Sequence, residues 1–145
     1  MYIDIIKRLN EQYRTSCPFK LAEKMNLEVR FQELPASVKG MLVRIHDERF
    51  IVIQKNLCVQ WQQFICGHEI GHYLLHFNKR KSGVPFLFTD MAGSDLERVE
   101  EIEANIFSCQ LMKYNFGEDI GESLLKQIGV KINYLHPEGG GNLAR

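Results

Sequence analysis

His68-Glu69-Ile70-Gly71-His72 lies within residues 60–77, where Trp61, Phe64, Ile65, Ile70, Tyr73, Leu74 and Phe77 recur at three- and four-residue spacings. Such spacing predicts one continuous helix. Two histidines four apart on a helix are separated by about 40° in projection, so both imidazoles reach one metal ion. The glutamate beside the first histidine is then placed to hold a metal-bound water and take its proton. Two ordinary helix histidines are the competing reading, and the context argues against it. Gly67 and Gly71 interrupt the helix, each costing about 1 kcal/mol against alanine. A helix tolerates that where another backbone must come close. The stretch reads as the active-site helix of a zinc-dependent peptidase.

The remaining composition narrows the class. A chain of 145 residues suits one domain, expected over residues 1–136, with the Gly-rich residues 137–145 as a flexible tail. Eighteen basic residues balance eighteen acidic ones, which gives no electrostatic case for a nucleic-acid binder. No apolar run approaches the ~20 residues that span a membrane. Asp4, Lys7 and Arg8 sit inside an amphipathic pattern, which is unlike a secretory leader. Cys17, Cys58, Cys66 and Cys109 are dispersed without a C-x-x-C pair, as expected of reduced, mostly buried thiols in a cytoplasmic protein. Cys66, two residues before His68, would point away from a metal.

Around the central helix the pattern is α+β. Residues 2–14 and 19–25 read as helices, separated by Thr15-Ser16-Cys17-Pro18, where Ser16 is a candidate N-cap. Leu27-Glu28-Val29-Arg30-Phe31 alternates, and Gly40–Ile45 and Phe50–Ile53 are apolar runs about the turn His46-Asp47-Glu48-Arg49. These predict a small three-stranded antiparallel sheet packed against the H-E-x-x-H helix, with His46 a solvated turn residue. Asn78–Gly83 reads as a solvated basic helix end. Residues 83–94 read as a loop, whose Phe86 and Phe88 either border a cleft or pack on the core. A helix follows to about Tyr114, capped by Ser94 or Asp95, then a last one over residues 119–128.

A catalytic zinc site needs a third protein ligand. The extended motif H-E-x-x-H-x-x-G-x-x-H is absent, since Tyr73-Leu74-Leu75-His76 follows with no glycine to turn the chain. One helix does not comfortably wrap three turns around an ion. His76 is therefore expected behind the first ligands, facing substrate, or in a structural role. The alternative is a carboxylate from the next helix, from Glu97, Glu100, Glu101 or Glu103. Glu101 flanks a strip with the small Ala104 and Ser108, which would let that helix approach Gly67 and Gly71. Periodicity equally turns Glu100 and Glu103 toward Val99, Phe107 and Leu111. It leaves the choice open.

Ile53-Gln54-Lys55-Asn56, the run from Gln63 to His76, and Glu101-Ile102-Glu103-Ala104-Asn105-Ile106-Phe107-Ser108 together resemble the ImmA/IrrE family of zinc metallopeptidases. The resemblance runs from about Leu27 to Met112 and joins H-E-x-x-H to the more particular E-x-x-A-N-x-F. It implies a zincin-like, gluzincin-type site with His68, His72 and Glu101 on Zn²⁺, Glu100 being the less favoured third ligand, and Glu69 as general base. His76 or Tyr73 would stabilise the oxyanion or stand behind the ligands. It also implies the substrate class, a helix-turn-helix repressor of a phage or mobile element, cleaved by an anti-repressor. Where relatives carry a small residue pair and Leu-Met-Pro, this chain has Ser108-Cys109 and Leu111-Met112-Lys113. The rival readings are a zinc-stabilised module that binds a repressor without cutting it, and a stress regulator of transcription acting through a partner. Glu69 separates them, because binding alone needs no base.

Overall fold

Ile6 and Leu9 turn one face of the first helix, α1 (Ile3–Tyr13), into the core. Pro18 opens α2 (Pro18–Lys24), where its fixed φ and missing N–H suit the first turn. The cap position there belongs to Cys17 rather than Ser16. The Ser16 hydroxyl instead lies 2.7 Å from Asn115 Oδ1, to which it donates. Three strands follow, β1 (Leu27–Gln32), β2 (Val38–Ile45) and β3 (Glu48–Gln54), then the long helix α3 (Val59–Leu75) and a 3₁₀ turn over Phe77–Lys79. The chain continues through β4 (Phe86–Thr89), α4 (Asp95–Phe116) and α5 (Glu118–Gln127). The computed structural model describes residues 2–79, 85–89 and 95–127. The expected tail 137–145, the cap at Ser94 and most of the basic cluster after Asn78 lie outside them.

The fold is α+β as expected, but among the described residues the sheet has four strands and is mixed. Its order is β1-β3-β2-β4. β2 and β3 form the expected antiparallel hairpin, turning at His46-Asp47, where exposed His46 has φ +57°. β1 pairs with β3 in parallel, Val29 opposite Ile51, so the strand next in sequence is not its neighbour in space. Alternation along β1 reports which face is buried and says nothing of the partner. β3, buried from Phe50 to Gln54, takes the interior place that its unbroken apolar run suits. The fourth strand falls inside the expected loop: Phe86-Leu87-Phe88-Thr89 pairs antiparallel with β2, with Leu87 opposite Met41.

One face of the sheet is covered by α3, and α4 lies on α3 in turn. The joint core includes Leu42, Ile51, Ile53, Phe64, Ile65, Ile70, Phe107 and Leu111. All four cysteines are free thiols, Cys66 and Cys109 buried, Cys17 half-buried and Cys58 exposed. Among the described residues no helix is long and apolar enough to cross a membrane.

Candidate metal centre

Every residue of α3 from Phe64 to His72 is buried, since the sheet, α2 and α4 all pack on this helix. A Cβ on Gly67 would fall 2.6 Å from Ser108 Oγ, and one on Gly71 would fall 3.1 Å from Phe107 Cδ1 and 3.3 Å from Ala104 Cα. The two glycines let α4 lie against the α3 backbone. Ser108 fastens this seam by donating its hydroxyl to the Phe64 carbonyl at 2.6 Å.

The close approach carries a short carboxylate arm to the histidines. Glu101 Oε2 is 2.9 Å from His68 Nε2, and Oε1 is 2.9 Å from His72 Nε2. The two Nε2 atoms are 3.0 Å apart. Glu69 is fully buried beside them, and ligand-type atoms of His68, Glu69 and His72 all lie within 4.8 Å of one another. Its carboxylate reaches the sheet, where a Cβ on Gly40 would be 3.5 Å from Oε2.

The outer nitrogens of the histidines fix which inner atoms carry protons. His68 Nδ1 is 2.8 Å from the amide oxygen of Asn105, which only accepts, so Nδ1 bears the hydrogen. His76 Nε2 is 3.1 Å from Glu103 Oε1, so it donates there, and its Nδ1 keeps a lone pair. His72 Nδ1, 3.0 Å from His76 Nδ1, donates to that lone pair. Both Nε2 atoms are left as acceptors, aimed at a carboxylate that is also an acceptor. Lone-pair donors converging at 2.9–3.0 Å call for a cation. The separations are a few tenths of an ångström inside the edge, about 3.4 Å, of a tetrahedron with ~2.1 Å bonds. Two imidazoles and a carboxylate are a donor set that suits zinc. The residues present fit a divalent metal.

Burial pushes His72 down from 6.5 to about 4, against the opposing pull of Glu101, so it is neutral at pH 7. Burial alone would raise the Glu101 carboxyl, but the imidazoles of His68 and His72 outweigh it and hold Glu101 well below the usual carboxylate range. Phe86 of β4 stacks on the His72 ring with centroids 4.6 Å apart, which makes the expected loop residue a wall of the site.

Of the α4 glutamates, Glu101 reaches both histidines, while Glu103 goes to His76 and Glu100 is buried, 6% exposed. The side chain of Glu97 lies outside the described residues. His76, 1% exposed, stands behind His72, against the nitrogen opposite the one that faces Glu101. Tyr73 turns elsewhere: its hydroxyl accepts from Arg49 of β3, in a cleft also lined by Arg44 and Phe77. Asn105 was legible as part of A-N-x-F but carried no role on spacing alone. Tyr2, whose hydroxyl lies 3.3 Å from Glu103 Oε2, is 101 residues away in sequence and gave no signal.

An α+β domain that buries H-E-x-x-H between a small sheet and a carboxylate-bearing helix is zincin-like, the architecture of metallopeptidases. Within that class the chain belongs to the ImmA/IrrE family, since residues 22–120 match the peptidase M78 sequence model, described as the IrrE N-terminal-like domain. It is also 33% identical over 109 residues to the uncharacterized immunity region protein 2 of Bacillus phage phi105. That match covers 74% of this chain and 65% of the phage protein, so the chain spans just under two thirds of that relative.

Proposed function

We propose that this chain is a zinc-dependent endopeptidase that cuts a helix-turn-helix repressor at a specific site, as the anti-repressor of a phage or mobile element. The observation that carries the reading is the meeting of His68 Nε2, His72 Nε2 and the Glu101 carboxylate within 2.9–3.0 Å, with Glu69 buried alongside. His68, His72 and Glu101 would hold the zinc ion. A bound zinc supplies Lewis acidity, lowering the pKa of a water toward neutrality and polarising the scissile carbonyl. Glu69 takes the proton from the attacking water and later hands it to the leaving amine. Asn105 holds His68 in the tautomer that leaves Nε2 open.

The choice of a regulatory substrate is supported by the similarity to a protein of a phage immunity region. The balance of eighteen basic and eighteen acidic residues suits a protein partner and no nucleic-acid contact by the chain itself, and we place that encounter in the cytoplasm. A module that only bound its repressor would have no use for a buried Glu69 carboxylate, which is costly to desolvate.

The test is metal analysis of the purified chain, followed by incubation with a helix-turn-helix repressor from the same phage or mobile element. Zinc at about one per chain is expected. Cleavage should be lost in Glu69→Gln while zinc is retained, and Glu101→Gln should lower zinc affinity sharply where Glu100→Gln does not. Cleavage that survives Glu69→Gln would falsify the mechanism.

A further inference from the structure

The two histidines of the site are held from behind in different ways. His68 is anchored in one step, its Nδ1 on the Asn105 amide oxygen at 2.8 Å. His72 is anchored in two, through His76 at 3.0 Å and then Glu103 at 3.1 Å. A neutral imidazole in the place of His76 has two tautomers with opposite consequences. With its hydrogen on Nε2, its Nδ1 accepts from His72, and His72 Nε2 is left with a lone pair. With its hydrogen on Nδ1, it would meet the N–H of His72 head-on, and relief would come by moving the His72 proton to Nε2, where it blocks a metal. His76 alone does not choose between these states. A carboxylate against Nε2 does, because it only accepts.

We propose that Glu103 and His76 are positioning residues that lock His72 in its metal-binding tautomer and so set the affinity of the site for a divalent cation. Tyr2 completes the arrangement: its hydroxyl donates to the second oxygen of Glu103 at 3.3 Å, and its backbone N–H donates to Gln110 Oε1 at 2.9 Å. The start of α1 is thereby pinned to the helix that carries Glu101. The inference also gives His76 a role that keeps it off the metal, since its Nδ1 faces the far nitrogen of His72. It rests on the reading of His68, His72 and Glu101 as ligands.

The experiment is a zinc competition titration against a chelating indicator, run on the whole chain. It compares wild type with Glu103→Leu, Glu103→Gln, His76→Phe and the double variant His76→Phe/Glu103→Leu. Loss of an outer hydrogen-bond partner weakens metal binding by roughly 10- to 100-fold, and that is expected for Glu103→Leu and for His76→Phe. Glu103→Gln keeps an acceptor without the charge and should fall between. The double variant should bind no more weakly than the weaker single, because Glu103 acts through His76. The ¹⁵N spectrum of the zinc-loaded wild type should show His72 protonated at Nδ1. A Glu103→Leu chain that binds zinc like wild type, or a double variant in which the two losses add in full, overturns the proposal. Wild type that takes up no zinc overturns the metal reading itself, a different and recognisable result.

Discussion

The helix α3 meets its two principal neighbours by the same device used in opposite senses. Toward the sheet, α3 presents side chains, Ile65 and Glu69, and the strand gives way with Gly40, where a Cβ would lie 2.5 Å from Ile65 Cγ2. Toward α4, α3 itself gives way with Gly67 and Gly71, and the neighbour presents Ala104, Phe107 and Ser108. In each contact the glycine lies across from the element that brings a carboxylate. Glu69 belongs to α3, so the sheet is cleared to receive it. Glu101 belongs to α4, so α3 is cleared to let it in. Backbone approach on both sides is what lets two short acidic arms, one of them still a third exposed, meet the same pair of buried imidazoles.

Filling the sheet side should do the most damage. Gly40→Val places a branched side chain against Ile65 and 3.1 Å from the Val52 carbonyl, a backbone atom that has little freedom to move. Overpacking of this kind costs about 3 kcal/mol, more than the strand propensity of valine returns. Denaturant unfolding should show that loss, and the proposed proteolysis should fall with it because Glu69 is displaced. Unchanged stability would mean that the sheet slides freely over α3.

On the α4 side the expected loss is smaller and reversible by design. Gly67→Ala puts a methyl 2.6 Å from Ser108 Oγ, and that hydroxyl is fully buried and bonded to the Phe64 carbonyl. Turning it away strands a polar group in a dry seam at about 1–3 kcal/mol, against about 1 kcal/mol gained in helix propensity. A net loss near 1 kcal/mol is expected. Ser108→Ala should destabilise the wild type yet stabilise Gly67→Ala, since the remaining contacts there would be ordinary ones, 3.4 Å to Leu111 Cδ2 and 3.5 Å between Cβ atoms. A sign that does not reverse would remove the hydroxyl from the account.

Cysteine labelling offers a separate view of the seam. Burial pushes the Cys66 thiol well up, reinforced by Cys17 and Glu69, and burial raises Cys109 against the pull of Lys113. A thiol held protonated and out of solvent reacts slowly. Exposed Cys58 should therefore label quickly with a maleimide while Cys66 and Cys109 lag. In Gly67→Ala those two should speed up and Cys58 should not.

The two contacts were not equally legible in the sequence. Gly67 and Gly71 announce themselves, because two glycines one turn apart inside a helix are a cost with no local return. Gly40 does not, since a glycine near the start of a strand resembles an ordinary boundary. Likewise, the apolar run at Phe50–Ile53 suits an interior strand, but no residue of Leu27–Phe31 names β3 as its partner. Phe86–Thr89 is too short, and too close to Pro85, to declare itself a strand. The choice of Glu101 over Glu100 came from resemblance, because a 22-residue helix packed on more than one side offers several glutamates to the interior. The link from His76 to Glu103 and Tyr2 depends on α1, α3 and α4 meeting, which no local pattern encodes.

Gly71→Ala should have the smallest effect on stability and is the sharpest probe of the comparison. Its methyl would sit 3.1 and 3.2 Å from Phe107 carbons and 3.3 Å from Ala104 Cα, so α4 must retreat by a few tenths of an ångström. That strain, about 1 kcal/mol, is close to the helix propensity gained by replacing glycine. Unfolding free energy should barely change. Zinc affinity should fall several-fold all the same, because Ala104 lies one turn from Glu101 on the helix that moves, and metal bonds tolerate about 0.2 Å. Stability and affinity then part company, which ordinary core damage would not produce. If both stay at wild-type values, Phe107 absorbs the methyl by itself, and the spacing of α3 and α4 is not what brings Glu101 to the histidines.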